Sequence, residues 1–213
     1  MRLLFILFFI LYLASAAFTQ TNRQQPNENA NQSGSSAEKI PDGYGDLTWA
    51  MYLSDARDKI SGVLSYSDEK TVIISKDKEL EYHYGFFYKE PSADQIQADP
   101  NAGNNQTENT QEKDEGKLFY VSMNFPYLGK DQVYEKIQNK YGKHTSENIR
   151  ENKGAIAWNS DNTIIIMCVD QYERKPYCRR IIYISKKMSS ELNTYVNGIF
   201  NKTEIDLIKR MNP

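Results

Sequence analysis

The chain has 213 residues, 39% of them hydrophobic and 25% charged, with a formal net charge of −2. Charges this close to balance, with no basic stripe, give nucleic-acid binding no support. No stretch approaches the roughly 18 uninterrupted apolar residues that a membrane-spanning helix needs.

In chain order, Arg2 comes first, followed by the apolar run Leu3–Leu13 and then the small residues Ala14-Ser15-Ala16-Ala17. An apolar core of 11 residues is too short to span roughly 30 Å of hydrocarbon. Residues 1–17 therefore read as a signal peptide cleaved after Ala16 or Ala17. The mature protein is expected to leave by the general secretory route as a periplasmic or secreted molecule with no transmembrane segment. Residues 18–39 are rich in Gln, Asn, Ser and Gly. Such a segment cannot bury enough apolar surface to offset an ordering cost of about 1–2 kcal/mol per residue, and it is predicted to be a disordered leader. The same composition predicts a disordered loop over 91–117 inside a single domain spanning 40–211.

Within that domain, Leu47–Met51 reads as a short strand. Ser54 reads as the cap of a helix whose apolar stripe is Ala56, Ile60, Val63 and Leu64, with Gly62 near its end. Thr71–Ser75 and Leu80–Lys89 form a predicted hairpin. In its second strand Leu80, Tyr82, Tyr84, Phe86 and Tyr88 share one face, and Glu81, His83 and Phe87 share the other. Leu118–Phe125 is predicted as a strand with Phe119, Val121, Met123 and Phe125 inward. Lys130–Tyr141 is the clearest helix, with Val133, Ile137 and Tyr141 as its stripe and Gly142 at its end. Ala155–Trp158, Thr163–Val169 and Cys178–Ser185 are further strands. Ser189 or Ser190 is predicted to cap a last helix. Hairpins imply antiparallel pairing. The expected class is α+β, an antiparallel sheet with helices on one face and two strand-helix-hairpin repeats.

Cys168 and Cys178 are the two cysteines. In an oxidising compartment a disulfide is the expected state. A hairpin centred on Glu173 sets them opposite each other, where cross-strand Cβ atoms lie about 4.5–5.5 Å apart. The ten-residue separation and the lack of a nearby His do not match a redox C-x-x-C or a metal site.

Searches for chemistry return little. The metalloprotease, nucleophile-elbow, P-loop and dinucleotide patterns are all missing from the sequence. His83 alternates with Glu81 on one strand, His144 falls in a polar loop, and neither has a legible third ligand. Asp55 and Asp58 read as helix-start and surface residues. The sequons at Asn31, Asn105 and Asn201 matter only in a eukaryotic secretory pathway. No cofactor and no metal are expected. The basic run Arg174, Lys175, Arg179, Arg180, Lys186, Lys187 reads as a solvated hairpin surface or as a contact for an acidic partner.

The Trp49-Ala50-Met51 segment followed at once by a helix is similar to a Trp-Gly-Met-then-helix pattern in small, uncharacterised exported bacterial α+β proteins. Lys140-Tyr141-Gly142 after a second helix, the strand carrying Trp158 and two closing strands extend the resemblance over most of the folded part. It implies the architecture and a bacterial export route, and no activity.

The function expected from the sequence is that of a non-enzymatic binding or interaction module. Its partner would be an unknown protein or envelope component, contacted through Tyr172, Arg174, Lys175 and Tyr177. The alternatives are a hydrolase acting on envelope polymers and an inhibitor of a secreted enzyme that inserts the loop between Val169 and Cys178.

Overall fold

Alternation of apolar and polar residues organises this chain into antiparallel sheet. The computed structural model describes residues 37–89 and 113–211. The segments expected to be a signal peptide and a leader, up to residue 36, and residues 90–112 of the expected disordered loop lie outside the described residues. A two-stranded ribbon pairs β1 (Gly43–Tyr44) with β2 (Leu47–Thr48). An eight-stranded antiparallel sheet holds β3 (Val63–Ser67), β4 (Val72–Asp77), β5 (Leu80–Phe87), β6 (Lys117–Gly129), β7 (Ser146–Arg150), β8 (Lys153–Asn159), β9 (Thr163–Tyr172) and β10 (Lys175–Ser185). The helices are α1 (Leu53–Ala56), α2 (Lys130–Tyr141) and α3 (Lys186–Met211). The expected α+β class with an antiparallel sheet is what the chain forms. No helix among the described residues is long and apolar enough to cross a membrane.

Strand order is β3-β4-β5-β6-β10-β9-β8-β7. Each half is a four-stranded meander preceded by a helix, and the halves meet where β6 pairs antiparallel with β10. The order therefore reads the same from either edge. The two halves have a longer common unit than strand, helix and hairpin, because β3 and β7 each add a strand that the sequence did not announce.

β3 also removes most of the predicted first helix. After Ala56 the chain makes one 3-10 turn, Arg57–Lys59. Gly62 then takes φ +77°, where a Cβ would come within 2.4 Å of the Lys76 carbonyl oxygen. Val63 and Leu64 continue as strand, a conformation that suits β-branched and aromatic residues. Ser54 does not cap α1. Its hydroxyl donates to Glu115 Oε1 at 2.6 Å.

The core lies between one sheet face and α2. Tyr82, Tyr84 and Phe86 of β5 face it, and so do Val133 and Ile137 of α2. On β6 the inward set is Leu118, Val121, Met123 and Phe125. Phe119 is displaced from the predicted set because β5 and β6 slip between Gly85 and Phe86. Gly142 ends α2 at φ +81°. Its carbonyl accepts the Trp158 indole N–H at 2.9 Å, and Trp158 is 1% exposed. A fully buried large apolar side chain contributes about 1.5–3 kcal/mol.

α3 starts earlier than expected, directly after β10. The Ser185 hydroxyl accepts the Met188 backbone N–H at 3.3 Å, so Ser185 does the capping expected of Ser189 or Ser190. Met188, Ile182 and Ile184 are buried outside the main cluster. The Tyr195 ring centre lies 5.6 Å from that of Phe87. Phe87 follows inward-facing Phe86, so it points away from the core side. α3 thus reaches the second face of the sheet, and the helices are not all on one face.

Candidate functional site: a tyrosine and arginine tip

β9 and β10 run on beyond the end of β8, whose last pairing with β9 is Gly154 with Val169. The overhang Asp170–Tyr177 is a hairpin closed by Glu173 and Arg174, at φ 47° and 62°. Two consecutive left-handed residues give the turn whose twist matches the strands, and Asn or Gly normally fills it. Glu173 and Arg174 hold it at a cost. The neighbouring turn at Glu151 and Asn152 repeats the geometry, with φ 49° and 64°. Asn152 Nδ2 donates to the Arg174 carbonyl at 3.1 Å and ties the two turns together.

The third strand of the tip is the end of β6. Arg180 pairs with Asn124, and the next paired residues are Cys178 and Leu128. Phe125, Pro126 and Tyr127 therefore stand opposite Arg179 alone. Pro126 has no N–H to give to a ladder, and the bulge pushes Tyr127 outward. Tyr127 is 42% exposed, Leu128 45% and Tyr172 49%. Tyr127 and Tyr172 stack with ring centres 5.4 Å apart. Tyr177 meets both edge-on, at 6.1 and 5.9 Å. The Arg179 guanidinium lies 5.1 Å from the Tyr127 ring centre, and its Nη1 donates to the Tyr127 hydroxyl at 3.3 Å. Aromatic pairs in these arrangements, with a cation over one ring, form a stiff amphipathic surface.

Of the predicted contact residues, the structure brings Tyr172 and Tyr177 together and puts Arg174 at the turn, with Lys175 exposed beside it. Tyr127 and Leu128 were missed, and Arg179 was legible only as one member of the basic run. The available signal was Pro126 breaking the alternation just before Gly129.

The expected cysteine bridge is not formed, and both thiols are free. The turn is centred between Glu173 and Arg174, so Cys178 pairs with Val169, and Cys168 pairs with Arg180 across the bulge. A one-residue slip moves a side chain to the other face. Cys178 points into the core, where burial pushes its thiol up to about 12. Cys168 lies on the other face beside Arg180, and burial raises its thiol too.

Other chemically able groups are scattered. Glu81 Oε1 lies 2.6 Å from His83 Nε2 and Glu81 Oε2 lies 3.2 Å from Lys76 Nζ. The hydrogen bond from His83 is the first cause of the lowered Glu81 carboxyl, against an opposing burial effect. His144, which the sequence places in a polar loop, is largely covered. Its side chain is 19% exposed, its Nε2 lies 3.6 Å from Glu147, and its Nδ1 lies 2.8 Å from the Tyr134 hydroxyl. The two histidines belong to opposite halves of the sheet, so they form no pair.

A cleft of about 220 Å³ is lined by Leu53, Ser54, Arg57, Asp58, Glu69 and Glu115. Arg57 pairs with Glu69 across it. Lys113 bonds Asp55 at 2.8 Å and lies 3.6 Å from Glu115. These contacts correct one expectation: of residues 113–117, read as part of a disordered loop, Lys113 and Glu115 bond α1, and Lys117 is already the first residue of β6. No group of three or more His, Cys, Asp or Glu among the described residues is placed to hold a metal ion. In comparisons with protein-family models, curated proteins and solved structures, none matches this chain.

Proposed function

We propose that this chain is an exported, non-enzymatic interaction module that docks a protein or envelope component through the tyrosine and arginine tip. The observation that carries this reading is the cluster of Tyr127, Tyr172 and Tyr177 held in ring contact while Tyr127 and Tyr172 stay about half exposed. Tyr and Arg dominate binding hot spots because they present large area at low conformational cost. Export rests on Arg2, the Leu3–Leu13 run and the small residues up to Ala17. The resemblance to small exported bacterial proteins agrees with it. An inhibitor of a secreted enzyme is the narrower form of this proposal, with Glu173 and Arg174 as the inserted element.

The test is affinity capture from the host envelope by the mature protein. The variant Tyr172→Ala/Arg174→Ala/Lys175→Ala/Tyr177→Ala should lose the captured partner while keeping its circular dichroism spectrum. Unchanged capture removes the tip from consideration. A hydrolase would need converging free carboxylates or a His pair; in the cleft Glu69 pairs with Arg57 and Glu115 accepts from Ser54, and the two histidines lie in opposite halves of the sheet.

A further inference from the structure

Side chains alternate between the faces of a sheet, and cross-strand partners share a face. Val169 lies in the core, so Asp170 and Tyr172 turn to the other face, and their partners Tyr177 and Lys175 go with them. Ile156 and Trp158 lie in the core as well, so Lys153 and its partner Arg150 also turn away from it. Gly154 pairs with Val169, which brings Lys153 next to Asp170. Tyr177, Asp170, Lys153 and Arg150 therefore form one row across the ends of β10, β9, β8 and β7, with Tyr172 and Lys175 the next pair toward the turn. Asp170, Lys153, Arg150, Tyr172 and Lys175 are exposed. α3 leaves β10 at the opposite end of the strands, away from this row. Rings stand at one end of the row and cations at the other. Among the described residues, Arg150, Lys153, Arg174 and Lys175 take part in no ion pair.

We propose that this row binds an acidic polysaccharide, laid across the strands with one sugar ring on the exposed Tyr172 and its carboxylates on Lys153 and Arg150. The proposal rests on the tip being the docking surface and names its occupant. A pyranose has a flat C–H face and a polar rim, which suits a phenol ring with one apolar face and a hydroxyl. Carboxylates on the same chain meet unpaired ammonium and guanidinium groups, the latter able to hold both oxygens at once. Neighbouring strands lie about 4.7–4.9 Å apart, close to the repeat of one pyranose unit, so a short run of sugars matches the row strand by strand. Asp170 decides between a glycan and an acidic peptide. Its carboxylate stands in the middle of the row, where sugar hydroxyls donate to it and a run of Glu or Asp side chains is repelled by it.

The mature protein is titrated calorimetrically with a mannuronate hexamer, with the neutral mannose hexamer and with poly-L-glutamate. Binding of the mannuronate hexamer is expected, weakening as salt is raised because its charged contacts are exposed, with the neutral hexamer at least tenfold weaker and poly-L-glutamate weaker than mannuronate. Arg150→Gln/Lys153→Gln should weaken mannuronate binding at least tenfold with no change in circular dichroism, and so should Tyr172→Ala. Lys136→Gln, on the exposed side of α2, should leave it unchanged. Absence of mannuronate binding overturns the proposal, as does equal binding of the neutral hexamer, tighter binding of poly-L-glutamate, or binding insensitive to Arg150→Gln/Lys153→Gln. Loss of envelope capture in the four-residue tip variant, without mannuronate binding by the unmodified protein, would overturn the glycan assignment alone and leave the docking surface standing.

Discussion

Two groups of tyrosines in this chain do opposite things. Tyr44, Tyr82, Tyr84 and Tyr183 gather within the core, with Tyr44 and Tyr183 ring centres 4.9 Å apart and Tyr82 stacked on Tyr84 at 6.2 Å. Tyr127, Tyr172 and Tyr177 gather at the tip with comparable ring spacings, yet remain near water. Residue type and ring geometry are shared, so the difference lies in what covers the second side of each ring. The inner group has α2 and the N-terminal ribbon over it. The outer group stands on strands that outrun the layer above them. Aromatic richness therefore does not identify a binding surface, whereas aromatic contact combined with overhang does.

That contrast can be broken at several points. Tyr84 is 1% exposed, and its hydroxyl accepts the Ser61 N–H at 2.9 Å. Tyr84→Ala should cost about 3–5 kcal/mol, as other large-to-Ala core changes do, and urea denaturation measures it. A loss below about 1 kcal/mol would mean that the inner cluster is not the core.

Alkali offers the next largest effect. Burial first, then the neighbouring phenols, raises the Tyr44 hydroxyl above its ordinary value, and burial does the same for Tyr183. A raised phenol favours the neutral form in the folded state. The associated stability is complete below about pH 10, the ordinary tyrosine value, and is lost as pH rises beyond it. Part of the phenolate absorbance near 295 nm should therefore appear only with unfolding. Smooth titration of all tyrosines in a folded protein would contradict this.

The tip should behave in the reverse sense. Replacing Glu173→Asn together with Arg174→Gly relaxes two left-handed residues. It should raise stability by about 1 kcal/mol while reducing partner capture. Tyr172→Ala should change stability by no more than about 0.5 kcal/mol and still abolish capture. Equal stability losses from Tyr172→Ala and Tyr84→Ala would erase the distinction between the groups.

The free cysteines give a separate check on register. Denatured protein should titrate two thiols. Native protein should react slowly at neutral pH, because burial pushes the Cys178 thiol up to about 12 and raises that of Cys168. Two blocked thiols in the purified mature protein would restore the pairing expected from the sequence.

How far the sequence could be read depended on pattern length. The alternation in β5 and the stripe of α2 were both legible, because each spans several periods. α2 was placed at Lys130–Tyr141, the bounds it adopts. β3 and β7 were not legible. Their five residues each lie at sheet edges, where burial imposes little alternation. Bulges hid the rest. The slip beside Phe86 moved Phe119 out of the inward set, and the two-residue turn shifted Cys168 and Cys178 to opposite faces. Half of the tip was found because Tyr172 to Tyr177 is contiguous in the chain. Tyr127 and Arg179 arrive from bulged positions, which periodicity does not encode.

The junction of β6 with β10 also bears on how the molecule matures. β10 is the last strand to be synthesised, so until it arrives the 13-residue β6 has one side open, with its apolar inward face only partly covered. Trp49 likewise cannot close its bond to the Thr163 hydroxyl at 2.8 Å before the second meander exists. Non-local closure of this kind is slow. Until β10 is in place the chain spends that interval with its central seam unprotected, dependent on a holding partner or on rapid completion to escape aggregation.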